Sequence, residues 1–316
     1  MQDTLVLIVG CPRSGTSLLR DLTSQFLGLA IPHDEFQNLH KMITIKQNTE
    51  NVKDAILELF QQSAFSFHNK ELSKSVVKKI KKDKCETKEE IIKKLLIFSS
   101  KNNNAVQNMF GEKTPQNYLY LDEIGKNFTT KIKVIFIVRN PCDTVYSMQK
   151  AWGKSIKSSV DEWNQAVNSY LNYSLNGDCH LVYYENLIHN PINSLQSITD
   201  FLEVTPVENF DPNKYVGKEM YGRAAGKKGI LKMEKQNYNT YFQNYVELSS
   251  QNNMHKMGYK INSNKEYEIK VNFFYSAYVF FQWMGYPVKS IFNMVRKKGL
   301  ITGLLYRFKQ IKNRYL

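Results

Sequence analysis

Five apolar residues in a row, Leu5 to Val9, run without polar interruption into Gly10-Cys11-Pro12-Arg13-Ser14-Gly15, and a second apolar series starts directly behind that turn. An unbroken run of this kind reads as a strand buried on both faces, the pattern of a parallel sheet. Glycine and proline then turn the chain. Thr16 and Ser17 suit a helix start, and Leu18, Leu19, Leu22 and Phe26 fall on one helical stripe. A strand, a tight loop and a helix N-terminus bring unpaired N–H groups and the positive end of the helix dipole to one point. The stretch therefore predicts a phosphate or sulfate site. The spacing of Gly10 and Gly15 equals that of the nucleotide triphosphate loop, yet Thr16 stands where that loop has its lysine, and the cation is Arg13, inside the loop. A plain strand-to-helix turn with a solvated arginine shares this local pattern, so a second motif has to decide.

Ile132 to Val138 is another β-branched apolar run, followed by Arg139-Asn140-Pro141, with the proline where the first turn of a helix accepts it. Phosphate-transferring loop proteins carry a magnesium-binding aspartate on another strand of the sheet. Here the strand ends in Arg139, whose planar fork suits a second anion instead. Ser147, about two turns into the next helix, adds a hydroxyl.

With these two motifs the chain resembles the sulfotransferases that use 3′-phosphoadenosine 5′-phosphosulfate. Two further runs carry the resemblance. Leu181-Val182-Tyr183-Tyr184-Glu185-Asn186-Leu187, with Pro191 and Ile198 to Leu202 behind it, is similar to the family's Tyr-Glu-[Asp/Asn/Gln]-Leu segment and trailing helix. Gly111-Glu112-Lys113-Thr114-Pro115 is similar to the Glu-Lys-Thr-Pro run of carbohydrate sulfotransferases and to a Lys-Asp-Pro run of the tyrosylprotein enzymes. The resemblance extends from about residue 4 to about residue 260.

What it implies is an α/β chain with a P-loop nucleotide-kinase-like three-layer fold, a central parallel sheet and flanking helices. The implied co-substrate is 3′-phosphoadenosine 5′-phosphosulfate, with no metal. Arg13, Ser14, Gly15, Thr16 and Ser17 would grip its 5′-phosphosulfate, Arg139 and Ser147 its 3′-phosphate, and Tyr184 would lie near the adenine. In the glycine-rich basic segment Tyr221 to Gly229, Arg223, Lys227 or Lys228 would close over the 3′-phosphate. Lys113, and Arg13 with it, would stabilise the sulfuryl group in transfer. An acid after the short strand expected at Leu29 to Pro32 would be the base for the acceptor hydroxyl: Glu35 first, Asp34 close behind, His33 third.

A length of 316 residues with 42% hydrophobic content suffices for one large domain. The expected division is a sulfotransferase domain over 1–262, with a helical acceptor-side insert at about 40–110, and a basic aromatic C-terminal extension over 263–316. In the insert, Thr87-x-x-Glu90 reads as a capping box and Lys78 to Lys84 as a basic face. The net charge of +14 favours polyanionic partners. The expected acceptor is a hydroxyl on a glycan, glycolipid or other glycoconjugate, with a tyrosine peptide as the alternative, and no nucleic acid is expected. The extension suits peripheral membrane contact, self-association, or a helical pair packed on the domain. Four cysteines without CxxC or metal-ligand spacing point to a reducing compartment. The first strand starts within a few residues of Met1, which leaves no room for a signal peptide or N-terminal anchor and predicts a cytoplasmic protein, free or peripheral at a membrane. Two other readings stay open: a P-loop kinase with a displaced lysine, and a non-catalytic polyanion-binding protein.

Overall fold

A computed structural model describes residues 3–46, 51–100, 108–207, 210–211 and 238–262. The expected helix-and-parallel-sheet architecture is present. Four strands, β1 (Thr4–Gly10), β2 (Met109–Glu112), β3 (Lys131–Val138) and β4 (Cys179–Tyr183), form one sheet in the order β2-β1-β3-β4, all parallel. Every residue of β1 is buried, as its unbroken apolar run requires.

Alternate residues of the strands feed opposite faces. Leu5, Leu7 and Val9 of β1 join Val134, Phe136 and Val138 of β3 in one core. Val6 and Ile8 join Ile135 and Ile137 in the other. The second face is covered by α1 (Thr16–Leu27), α10 (Tyr184–His189) and α11 (Pro191–Leu202). The first is covered by α2 (Leu39–Thr44), α3 (Val52–Gln61), α4 (Ala64–His68), α5 (Lys70–Lys82), α6 (Lys88–Ser99), α7 (Leu121–Asn127) and α9 (Ile156–Tyr173). The helical insert is thus continuous with the main core: Ile56, Phe60, Ile80 and Ile92 pack in the same cluster as β1. Among the described residues its helices end at Ser99, and Met109–Glu112 belongs to the sheet rather than to the insert.

Two local expectations change. Leu29–Pro32 makes a single bridge, Ala30 to Phe110, instead of a strand. Pro32 has no N–H to extend a ladder, and its carbonyl is taken by Arg20 Nη1 at 3.4 Å. Behind Thr114, where Pro115 and the residues up to about Gly125 suit one continuous helix, the chain begins as a 3₁₀ turn, Pro115–Tyr120, before α7. The Asn117 N–H closes on the Thr114 carbonyl and its side chain is held elsewhere, so the chain winds tightly first. The extension at 263–316 lies outside the described residues. Among the described residues, no helix is long and apolar enough to cross a membrane, and all four cysteines are free thiols.

This layout places the site. The chain leaves β1 into α1 on one face of the sheet, and leaves β3 into α8 (Pro141–Trp152), whose Met148 packs on the other face. Loops that diverge from adjacent parallel strands open a crevice at their carboxyl ends.

Candidate active site

The turn after β1 is built for close approach of backbone to an anion. Gly10 has φ +153°, and a Cβ there would lie 2.3 Å from the Ile137 carbonyl oxygen. Arg13 adopts φ 71°, a left-handed conformation that a non-glycine residue holds only when its surroundings enforce it. Gly15 is the N-cap of α1, with φ 101°, and no side chain caps the helix. The first turn of α1 contains no acid, so its amides face the crevice without a competing carboxylate.

Both arginines meet in this crevice. The Arg13 Nε–H donates to Ser147 Oγ at 3.1 Å, and Arg139 Nη1 donates to the Arg13 carbonyl at 3.4 Å. The Arg139 guanidinium lies 4.4 Å from the centroid of the Tyr184 ring. That ring is also what a Cβ at Gly15 would strike, at 2.4 Å. Arg13, Gly15, Arg139, Ser147 and Tyr184 therefore share one wall, while Thr16 and Ser17 open the helix behind it. Burial first, and the neighbouring Arg139 second, pull the Arg13 pKa below its usual value. Arg13 has no carboxylate within ion-pair distance among the described residues. Ser14 Oγ and Arg139 Nε are buried without a hydrogen-bond partner. Two neighbouring guanidinium groups beside the uncapped first turn of α1 fit a multiply charged anion.

Groups that the sequence did not single out hold Arg139. Trp163 Nε1 donates to its carbonyl at 2.9 Å. Asp143 lies 3.9 Å from Nη2 and accepts a hydrogen bond from the Tyr238 hydroxyl. Glu185 accepts from Asn140 N at 2.8 Å and from the Tyr259 hydroxyl at 3.0 Å, tying the end of β3 to α10. Glu185 was inside a recognised run, but its partner Tyr259 is 74 residues away and no local signal announces it.

The acids stand by the end of β2, which flanks β1 on the side opposite β3. Lys113, only 4% exposed, donates from Nζ to Glu35 Oε1 at 2.7 Å. Asp34 turns away: its Oδ1 is 3.3 Å from His68 Nδ1, and its Oδ2 accepts from Asn69 at 2.8 Å, so it anchors the α4–α5 junction. Adjacent residues pointing to different partners separate two candidates that spacing alone left together. His33 stands one position before Asp34. Arg223, Lys227 and Lys228 lie outside the described residues. Among the described residues, no group of three or more His, Cys, Asp or Glu could hold a metal ion.

Beneath Lys113 lies Glu112, 1% exposed at the end of β2. Its Oε1 accepts from Phe36 N at 3.1 Å and from Thr114 Oγ1 at 2.5 Å, and its Oε2 accepts from Asn117 Nδ2 at 2.7 Å. Burial outweighs these bonds and raises its pKa to about 7. A carboxyl group raised in this way stabilises the fold in its protonated form, fully below the unfolded value near 4.5, and that contribution is lost as pH rises through about 7. Denaturant unfolding at pH 5 and pH 8 is expected to show the wild type losing up to about 3 kcal/mol relative to Glu112→Gln, at about 1.36 kcal/mol per pKa unit. Parallel pH dependence of the two proteins would show that Glu112 does not carry it.

Residues 6–209 match the family model described as "Sulfotransferase family". Among solved structures the chain is similar to the sulfotransferase domain from the curacin biosynthetic pathway, with 19% identity and a TM-score of 0.52 over 82% of this chain and 98% of that one. It is similar also to the sulfotransferase domain from the Synechococcus PCC 7002 olefin synthase, with 17% identity and a TM-score of 0.53 over 82% of this chain and 96% of that one. These two likenesses speak for the fold. No curated protein sequence matches the chain.

Proposed function

The chain belongs to the sulfotransferase family and is an enzyme of sulfuryl transfer; on that premise we propose that its donor is 3′-phosphoadenosine 5′-phosphosulfate and its acceptor a hydroxyl of a carbohydrate or glycoconjugate. One observation carries the donor assignment: Arg13 and Arg139, from the turns after β1 and β3, meet in one crevice beside the uncapped start of α1. The carbohydrate assignment rests on the Glu112-Lys113-Thr114-Pro115 run and its similarity to the carbohydrate branch.

When bound, the donor supplies the sulfuryl group and a phosphate leaving group. Arg13 and the amides of Ser14 to Ser17 hold the phosphosulfate end and meet the charge that gathers on the departing phosphate. Arg139 and Ser147 hold the 3′-phosphate and so fix the register of the donor against the acids. Tyr184 presents its ring beside Arg139 as a wall for the adenosine. Glu35 takes the proton of the acceptor hydroxyl as attack begins. Lys113, bonded to Glu35 at 2.7 Å, orients that carboxylate and places a compact positive charge beside the transferring group.

Thermal shift distinguishes this donor from a kinase substrate. Adenosine 3′,5′-bisphosphate without magnesium is expected to raise the melting temperature more than ATP with magnesium does. The reverse order would favour the kinase reading. Labelled donor offered with N-acetyllactosamine, chondroitin and a tyrosine peptide is expected to mark a glycan, and label on the peptide alone would move the enzyme to protein sulfation.

A further inference from the structure

We propose that Glu112 is a positioning residue: its buried carboxylate fastens the loop that carries Glu35 to the strand end that carries Lys113, and thereby sets the geometry of that pair. This rests on the reading of Glu35 as the base. The tie has two rungs. Phe36 N donates to Glu112 Oε1 at 3.1 Å, and the next amide, Gln37 N, donates to Thr114 Oγ1 at 3.1 Å. The Thr114 hydroxyl itself donates a hydrogen bond to Glu112 Oε1, so a single carboxylate oxygen organises both rungs. Phe36 and Gln37 are 76 and 77 residues before their partners in sequence, and they directly follow Glu35. Phe36 is fully buried against Phe60 and Phe65, with ring centroids 5.1 and 5.7 Å apart, so the loop cannot slide along the surface once tied.

A buried carboxylate bonded only to neutral donors adds little net stability, because its own desolvation penalty offsets much of what the bonds contribute. It is a good device for geometry. Carboxylate oxygens accept in several directions, and here one takes a backbone donor and a hydroxyl while the other takes Asn117. A glutamine can do nearly the same. Its oxygen keeps the Phe36 and Thr114 bonds, and its amide can donate to Asn117 Oδ1, which has no partner, once the Asn117 amide turns over. A leucine cannot.

Five proteins test this: wild type, Glu112→Leu, Glu112→Gln, Thr114→Val, and Glu35→Gln as the reference for loss of the base. Turnover is read as adenosine 3′,5′-bisphosphate released from the donor with N-acetyllactosamine as acceptor, whose alkyl hydroxyls must lose a proton to attack, and amide hydrogen exchange is read at Phe36 and Gln37. Glu112→Leu is expected to lose about 10²-fold in kcat, the scale of a misplacement of about 1 Å, with unchanged affinity for adenosine 3′,5′-bisphosphate and a lower melting temperature, since Phe36 N, Thr114 Oγ1 and Asn117 Nδ2 lose their acceptor. Its Phe36 and Gln37 amides exchange faster. Glu112→Gln keeps kcat within about threefold and keeps both amides protected, while Thr114→Val, which spares the carboxylate, exposes Gln37 and falls between. If Glu112→Leu fails to fold, the Thr114→Val result decides by the same two measurements. Full turnover or unchanged exchange in both variants, beside an inactive Glu35→Gln, overturns the positioning role alone. A fully active Glu35→Gln overturns the base assignment and the proposal with it.

Discussion

Glu35→Gln is expected to lower kcat by about 10²–10⁴-fold, the usual range for loss of a positioned general base, while affinity for adenosine 3′,5′-bisphosphate stays within about twofold. The amide keeps the shape of the side chain and its oxygen still accepts from Lys113, so the crevice is not rearranged. What disappears is an acceptor for the proton of the attacking hydroxyl. Asp34→Asn makes the informative control. Asp34 is already engaged by His68 and Asn69 at the α4–α5 junction, and those contacts are with its neighbours on the helical side, not with Lys113. Its substitution is expected to change kcat by less than about tenfold and to act mainly through the junction. A large kcat loss in Asp34→Asn with an active Glu35→Gln would exchange the two roles.

The contrast between these acids shows what a sequence can and cannot carry. Strands β1 and β3 were legible because both of their faces are buried, which leaves the unbroken apolar stretches Leu5 to Val9 and Val134 to Val138, and the turn between β1 and α1 was legible because backbone approach demands Gly10 and Gly15. Short-range spacing settles such features. Asp34 and Glu35 are neighbours with the same charge, so spacing cannot tell their surroundings apart; their partners do, Lys113 lying 78 residues beyond Glu35 and Asn69 35 residues beyond Asp34. The same limit hid Glu112. It sat inside a recognised run, but its meaning lies in Phe36 and Asn117, and the bridge between Ala30 and Phe110 is what brings the chain leading to Phe36 alongside β2. Leu29–Pro32 failed in the opposite sense: its composition reads as a strand, but Pro32 stops the ladder after one bridge.

Arg139→Met is the second large effect, and its value lies in a comparison of two nucleotides. Arg139 is anchored through its carbonyl by Trp163 and through its guanidinium by Asp143 and the Tyr184 ring, so truncating the charge leaves the backbone in place and leaves Asp143 with its Tyr238 partner. Loss of one member of an enclosed hydrogen-bonded charge pair weakens binding by about 2–5 kcal/mol, or upward of about 30-fold. Affinity for adenosine 3′,5′-bisphosphate is therefore expected to fall by about 10²–10³-fold. At a ligand concentration about 100 times the wild-type Kd, stabilisation of about 2.7 kcal/mol would shrink to about 0.4 kcal/mol or less, and the thermal shift would nearly vanish. Adenosine 5′-phosphate, which lacks the 3′ group, is expected to lose less than about threefold, because Arg13 and the amides of α1 still hold its phosphate. The unliganded protein also sheds the repulsion between Arg139 and the half-buried Arg13, which offsets part of the lost contact with Tyr184. The variant would thus bind the two nucleotides almost equally. Equal losses for both nucleotides would instead put Arg139 at the 5′ end of the donor and reverse its orientation in the crevice.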